Sequence, residues 1–191
     1  MAKLNFYYSA MNAGKTTTLL QAHYNYYERG MKTLIYKPNL DNRNNKNIIN
    51  SRVGLSTQAI NFNKNYNFQK EVKKLNFKNQ IDCLFLDEAQ FLTKEQVKQL
   101  TIIVDQLKIP VLTYGLRTDF LGKTFPGSQY LLAWADTLIE IKTICFCGTK
   151  ATMNLRIDKN GSPIKSGKQI KIGGNNIYES VCRKHFYEYL N

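Results

Sequence analysis

Short apolar runs alternate with amphipathic stretches along this chain, and that rhythm predicts its elements. Residues 4–8, LNFYY, are apolar and aromatic and read as a buried strand. KTTTLLQAHYNYYERG comes next with helical spacing: Leu19, Leu20, His23, Tyr24 and Tyr27 fall on one side, and Gly30 closes the helix at C′. Residues 31–38 read as a second strand, and 39–50, almost all polar, as a loop. Residues 51–62 mix alternation with a glycine, as a hairpin or short strands do, and 67–75 have weak helical spacing. IDCLFL, 81–86, is continuously apolar, as a parallel strand buried on both faces would be. For 93–107 a helix is predicted, with Thr93 and Gln96 as a capping box and Val97, Leu100, Ile103, Val104 and Leu107 as its core stripe. Residues 110–114 predict a strand opening on a proline, 128–135 a helix and 137–141 a strand.

Between the first strand and the first helix lies SAMNAGKT, Ser9 to Thr16. It is a P-loop in every position but the first, where Ser9 stands for glycine. A tight turn at a helix N-terminus aims several N–H groups at one point and adds the positive end of the helix dipole. Gly14 lets backbone approach a phosphate, Lys15 reaches the terminal phosphates, and the Thr16 hydroxyl can ligate Mg²⁺. Ser9, Ala10, Met11, Asn12, Ala13, Gly14, Lys15 and Thr16 are therefore the candidate ATP contacts. The expected fold is α/β, P-loop NTPase-like (RecA-like): a mostly parallel sheet with helices on both faces and the ligand at the strands' carboxyl ends.

IDCLFLDEAQF puts Asp87 and Glu88 where an apolar strand surfaces. An Asp there matches a Walker-B carboxylate that helps Thr16 hold Mg²⁺, and its neighbour is then free to accept a proton as general base. The plainer alternative is a turn with a solvated acid.

From residue 142 onward helical spacing fades and Cys, Gly and basic residues concentrate. This divides the chain into a nucleotide-binding domain, 1–141, and a small lobe of short strands, 142–191. Cys145-x-Cys147 and Cys182-x-x-His185 supply four N/S ligands, the number and type a structural zinc takes. The C-x-C pair is tighter than the usual C-x₂-C. Cys83, inside the apolar run, reads as a small buried residue.

Composition changes this picture little. At 191 residues and 43% hydrophobic the chain can bury one substantial core. No apolar run of about 18 residues predicts a membrane span, and the N-terminus lacks a signal-peptide pattern, so a cytoplasmic protein is expected. The net charge of +13 points either to nucleic acid or to A/T-rich codon usage, which Lys and Asn abundance also reflects. No dense basic cluster interleaved with stacking aromatics is visible, and no nucleic-acid partner is expected.

SAMNAGKT, DEAQF, YGLRTDFLGKTFPGS, KTICFCG and GGNNIYESVCRKH, in this order, resemble the cellular thymidine kinases of the P-loop, zinc-containing type over nearly the whole chain. The resemblance implies transfer of the γ-phosphate of ATP to the 5′-hydroxyl of thymidine, leaving deoxyuridine open as an acceptor. It implies Glu88 as the catalytic base and adds Asp87, Glu88, Ala89 and Gln90 to the ATP site. It implies a thymidine pocket of Met11, Phe91, Leu116, Phe120 and Phe125, although ordinary core is the alternative for the aromatics; the polar context of Phe120 argues against core there. A loop of the small lobe would offer Ile170, Lys171, Ile172 and Gly173 to the base, with Tyr178 at the side; a Gly-Gly hairpin turn is the alternative. Arg52 reaches the phosphates or the 5′-end, or is simply solvated. The family often has two cysteines in the second ligand pair, so His185 departs from it acceptably. A homotetramer and feedback inhibition by dTTP are also implied. Two other classes share some features: a P-loop ATPase acting on nucleic acid, and a nucleotide-binding module without turnover. The short chain speaks against the first and the intact Lys15, Thr16, Asp87 and Glu88 against the second.

Overall fold

The computed structural model describes residues 1–39, 47–170 and 177–190. Six parallel strands form the central sheet. They are β1 (Leu4–Ser9), β2 (Thr33–Pro38), β5 (Ile60–Phe62), β6 (Cys83–Leu86), β7 (Val111–Leu116) and β8 (Thr137–Glu140), in the order β5-β2-β6-β7-β1-β8. Alternation in β6 splits the core between two faces. Cys83 and Phe85 pack with Leu19 and Leu20 of α1 (Lys15–Glu28) on one face. Leu84 and Leu86 pack on the other with Phe68 and Val72 of α2 (Phe68–Lys78), Val97 and Leu100 of α3 (Lys94–Ile102) and Leu131 of α4 (Pro126–Trp134). The α/β layering expected from the sequence is the one observed.

Local signals explain most boundaries. Thr93 and Gln96 make both capping-box bonds, and Asn67 caps α2 by accepting from the Lys70 N–H. Gly30 has φ 70 and ends α1 as anticipated, its N–H bonding to the Tyr27 carbonyl.

Four expectations need correction. On α1, Leu19 and Leu20 are buried as expected and Ala22 and Tyr26 pack beside them, whereas Tyr24 and Tyr27 are 52% and 67% exposed. The predicted 93–107 helix is α-helical only to Ile102 and then widens into a π-turn, Ile103–Leu107, that closes at Lys108 with φ 58. In the predicted 39–50 loop, β3 (Ile48–Asn50) pairs antiparallel with β4 (Ser56–Gln58), because Ile49 is buried. After β8 come the expected short strands, β9 (Thr143–Ile144), β10 (Lys150–Ala151), β11 (Met153–Arg156) and β12 (Tyr178–Val181), but also an unforeseen helix, α5 (Arg183–Leu190). This C-terminal segment has its own cluster of Cys145, Ala151, Met153, Leu155, Val181 and Phe186.

Candidate active site

The turn between β1 and α1 takes the left-handed region twice, at Asn12 (φ 62) and Gly14 (φ 78). Asn tolerates that region better than most side chains, and the Asn12 carboxamide accepts from Arg52 Nη1 at 2.6 Å. Ser9, in the usual glycine position, has a use there: its hydroxyl accepts from Lys15 Nζ at 3.0 Å, and the Ala10 carbonyl accepts from the same ammonium at 2.9 Å. Lys15 is buried, which pulls its pKa below the ordinary lysine value; the Glu88 and Asp87 carboxylates oppose that shift and Arg52 adds to it.

Thr16 Oγ1 donates to Asp87 Oδ2 at 3.0 Å. Among the described residues Asp87 Oδ1 is buried without a hydrogen-bond partner. Burial, then the Glu88 charge, pushes the Asp87 carboxyl up to about 7, with the Thr16 hydroxyl opposing. An orphaned carboxylate oxygen beside a hydroxyl at a phosphate loop is the donor set a Mg²⁺ accompanying ATP requires.

Glu88 adopts φ 50 and ψ 39, an uncommon conformation for a non-glycine residue. Its carboxylate accepts from Gln90 Nε2 at 2.5 Å, while Gln90 Oε1 accepts from the Leu116 N–H at 3.0 Å. The Leu116 carbonyl in turn accepts from Ser128 Oγ at 2.5 Å. Buried Gln90 thus ties the acidic turn to the end of β7. One cleft of about 410 Å³ is lined by residues 11–17 together with Asn50, Arg52, Val53, Glu88 and Leu116. The structure therefore brings together the loop, Lys15, Thr16, Glu88, Arg52, Met11 and Leu116.

The aromatic candidates lie outside that lining. Phe91 and Phe125 meet edge to face, their centroids 5.7 Å apart. Phe120 is core-like despite its polar sequence context: it is 1% exposed, with the Arg156 guanidinium 3.7 Å above its ring. Arg156 Nη2 donates to Tyr178 Oη at 2.8 Å, so Tyr178 and Phe120 share the same cation. Ile170 is exposed, and Lys171, Ile172 and Gly173 lie outside the described residues.

The cysteine expectation assembles fully. The ligand atoms of Cys145, Cys147, Cys182 and His185 lie within 4.8 Å of one another and could hold a metal ion. Tetrahedral Zn–S bonds of about 2.3 Å place sulfurs about 3.8 Å apart, so the set fits. His185 Nδ1 is 3.3 Å from Cys145 Sγ and 3.4 Å from Cys182 Sγ, while Nε2 faces Glu188 at 3.8 Å. The Thr149 hydroxyl pulls the Cys147 thiol down to about 7 and the His185 backbone N–H lowers Cys182, which favours the thiolate form at those two, whereas burial raises Cys145. α5 presents His185 one turn after Cys182; its apolar repeat at Cys182, Phe186 and Leu190 was the available signal, too short to read as a helix.

The family model for thymidine kinase matches residues 2–186. The chain belongs to the thymidine kinase family. It is 59% identical over 187 residues to a thymidine kinase of Coxiella burnetii, covering 97% of this chain and 95% of that protein. A Salmonella typhimurium thymidine kinase is 56% identical over 190 residues, covering 100% and 93%. One from Legionella pneumophila is 59% identical over 187 residues, covering 97% and 90%. Membership in the family agrees with the resemblance carried by the five sequence motifs.

Proposed function

We propose that the chain is an ATP-dependent kinase that phosphorylates the 5′-hydroxyl of thymidine to give dTMP, in nucleoside salvage. The supporting observation is the shared cleft of Lys15, Thr16, Arg52 and Glu88, with Met11 and Leu116 as apolar wall. Ser9 to Thr16, with Asp87 to Gln90, contact ATP; Lys15 and the loop amides grip its phosphates. Thr16 and Asp87 would hold Mg²⁺, which supplies charge neutralisation on the phosphates. Glu88 takes the proton from the 5′-hydroxyl as that oxygen bonds to the γ-phosphorus. The bond from phosphorus to the β-bridging oxygen breaks, and ADP leaves with its electron pair. Met11, Leu116, Phe91, Phe120, Phe125 and Tyr178 shape the nucleoside side, together with the 170–173 stretch.

The cysteine cluster holds a structural zinc, since four protein ligands leave no position for water. The functional division runs at 141/142, the C-terminal lobe serving the nucleoside. The protein works in the cytoplasm as a homotetramer; the exposed Tyr24 and Tyr27 on α1 suit a subunit contact. dTTP would occupy the same cleft as feedback inhibitor. The test is ADP formation in the presence of thymidine or of single-stranded DNA. Stimulation by thymidine, with dTMP formed in equal amount, is expected; stimulation by DNA alone would replace this reading with a nucleic-acid motor.

A further inference from the structure

Met11 is held by the C-terminal segment at both of its backbone polar groups. Its N–H donates to Asn154 Oδ1 at 2.7 Å, and its carbonyl accepts from Ser180 Oγ at 2.5 Å. Asn154 on β11 and Ser180 on β12 are directly paired across that two-stranded ribbon, so one cross-strand pair grips one loop residue. The Asn154 carboxamide has a single workable orientation. It is 2% exposed, and its Nδ2 donates to the Thr118 carbonyl at 3.0 Å, so a flip would set oxygen against oxygen and N–H against N–H.

The two bonds fix the peptide planes on either side of the Met11 Cα. The left-handed part of the loop begins at the next residue, with Asn12 at φ 62 and then Gly14 at φ 78. Asn tolerates the left-handed region without selecting it, so holding the peptide planes just before Asn12 helps to fix the turn. The Met11 N–H is also taken out of the phosphate cradle, which leaves that task to the N–H groups of residues 12–14 and the first ones of α1. The ribbon is braced in turn: Val181 and Met153 belong to the same apolar cluster as Cys145, and Cys182 comes directly after β12.

We propose that Asn154 and Ser180 are positioning residues for the phosphate loop, setting where its amides and the Met11 side chain point. This rests on the reading of residues 9–16 as the ATP site. Neither residue stands out in the sequence, since each is one polar position in a short strand far from the loop.

The test measures MgATP dissociation constants directly, on wild type, Asn154→Ala, Ser180→Ala and Ser180→Thr, with zinc content and melting temperature of each. An unpaired buried backbone group costs enough to weaken binding by about tenfold or more. The expected result is MgATP binding weakened about five- to tenfold in Ser180→Ala and about tenfold or more in Asn154→Ala, at unchanged zinc content, with Ser180→Thr restoring it. A residue that merely braces the fold would lower the melting temperature and leave MgATP affinity per folded chain unchanged; that result overturns the proposal. Should Asn154→Ala fail to fold, the Ser180 pair decides alone. A wild-type chain that binds no ATP removes the P-loop reading and this inference with it, whereas variants matching a wild type that binds overturn the inference only.

Discussion

Glu88 and Asp87 are adjacent in sequence and different in circumstance. Glu88 lines the cleft on a left-handed backbone, steadied by Gln90, and Asp87 is buried against Thr16. Replacing Glu88 by Gln keeps the shape and removes the carboxylate proposed as the base. Turnover should fall by roughly 10²–10⁴ while ATP and thymidine still bind; steady-state kinetics beside binding titrations will check this, and undiminished turnover would take Glu88 out of its role. Asp87 carries a prediction in pH. Its folded pKa is raised to about 7, above an unfolded value of about 3.9, so the native state binds more protons than the unfolded state within that window. Stability from this group is therefore present at acid pH and lost as pH rises through about 7. In nucleotide-free protein the wild-type melting temperature should fall between about pH 4 and about pH 7 relative to Asp87→Asn, which lacks the titration. At this scale the loop and the acidic pair were legible because their chemistry is contiguous in sequence. The supports were not: Gln90 appears only as a motif member, and Arg156, Asn154 and Ser180 act across separations no spacing rule covers.

Among elements, α4 approaches the 3₁₀ turn Ala89–Phe91 closely at Gly127. A Cβ on Gly127 would lie 2.4 Å from the Ala89 carbonyl and 2.9 Å from those of Gln90 and Leu92. All three are backbone atoms, so relief requires shifting α4 or the turn that directly follows the acidic pair. Gly127→Ala should cost ~1–3 kcal/mol, as overpacking does, and depress turnover as well; thermal melts and kinetics on one preparation will show both. Elements with a strong local signature, such as the capped α3 and the apolar β6, were readable in advance. α5 was hidden because eight residues give barely two turns of periodicity. The tyrosines of α1 misled because Tyr26, pointing inward, and Tyr24 and Tyr27, pointing outward, are chemically alike.

On the scale of the molecule, two apolar clusters flank the sheet and a third sits beside the cysteine set. The third is small, and a structural zinc contributes on the order of 10 kcal/mol to folding such a unit. Elemental analysis should find one zinc per chain. Chelation should raise hydrogen exchange in β11, β12 and α5 before the main sheet yields. A metal-free protein with unaltered exchange there would refute the site. The cysteine-bearing end was visible in the sequence as the ligand pairs Cys145-x-Cys147 and Cys182-x-x-His185. How the end grips the phosphate loop was not, since that contact is purely three-dimensional.

The position of β1 bears on how the protein is made. It leaves the ribosome before either of its neighbours, because it lies between β7 and β8, with Leu4 beside Val111 and Asn5 beside Thr137. The nascent strand must wait, apolar and unpaired, until those partners are synthesised, which makes assembly late and the unfinished polypeptide prone to aggregate. The loop after β1 waits longer still, because Ser180 is translated well after both of those strands. A chain released early would therefore carry the whole phosphate-binding motif and lack the means to shape it.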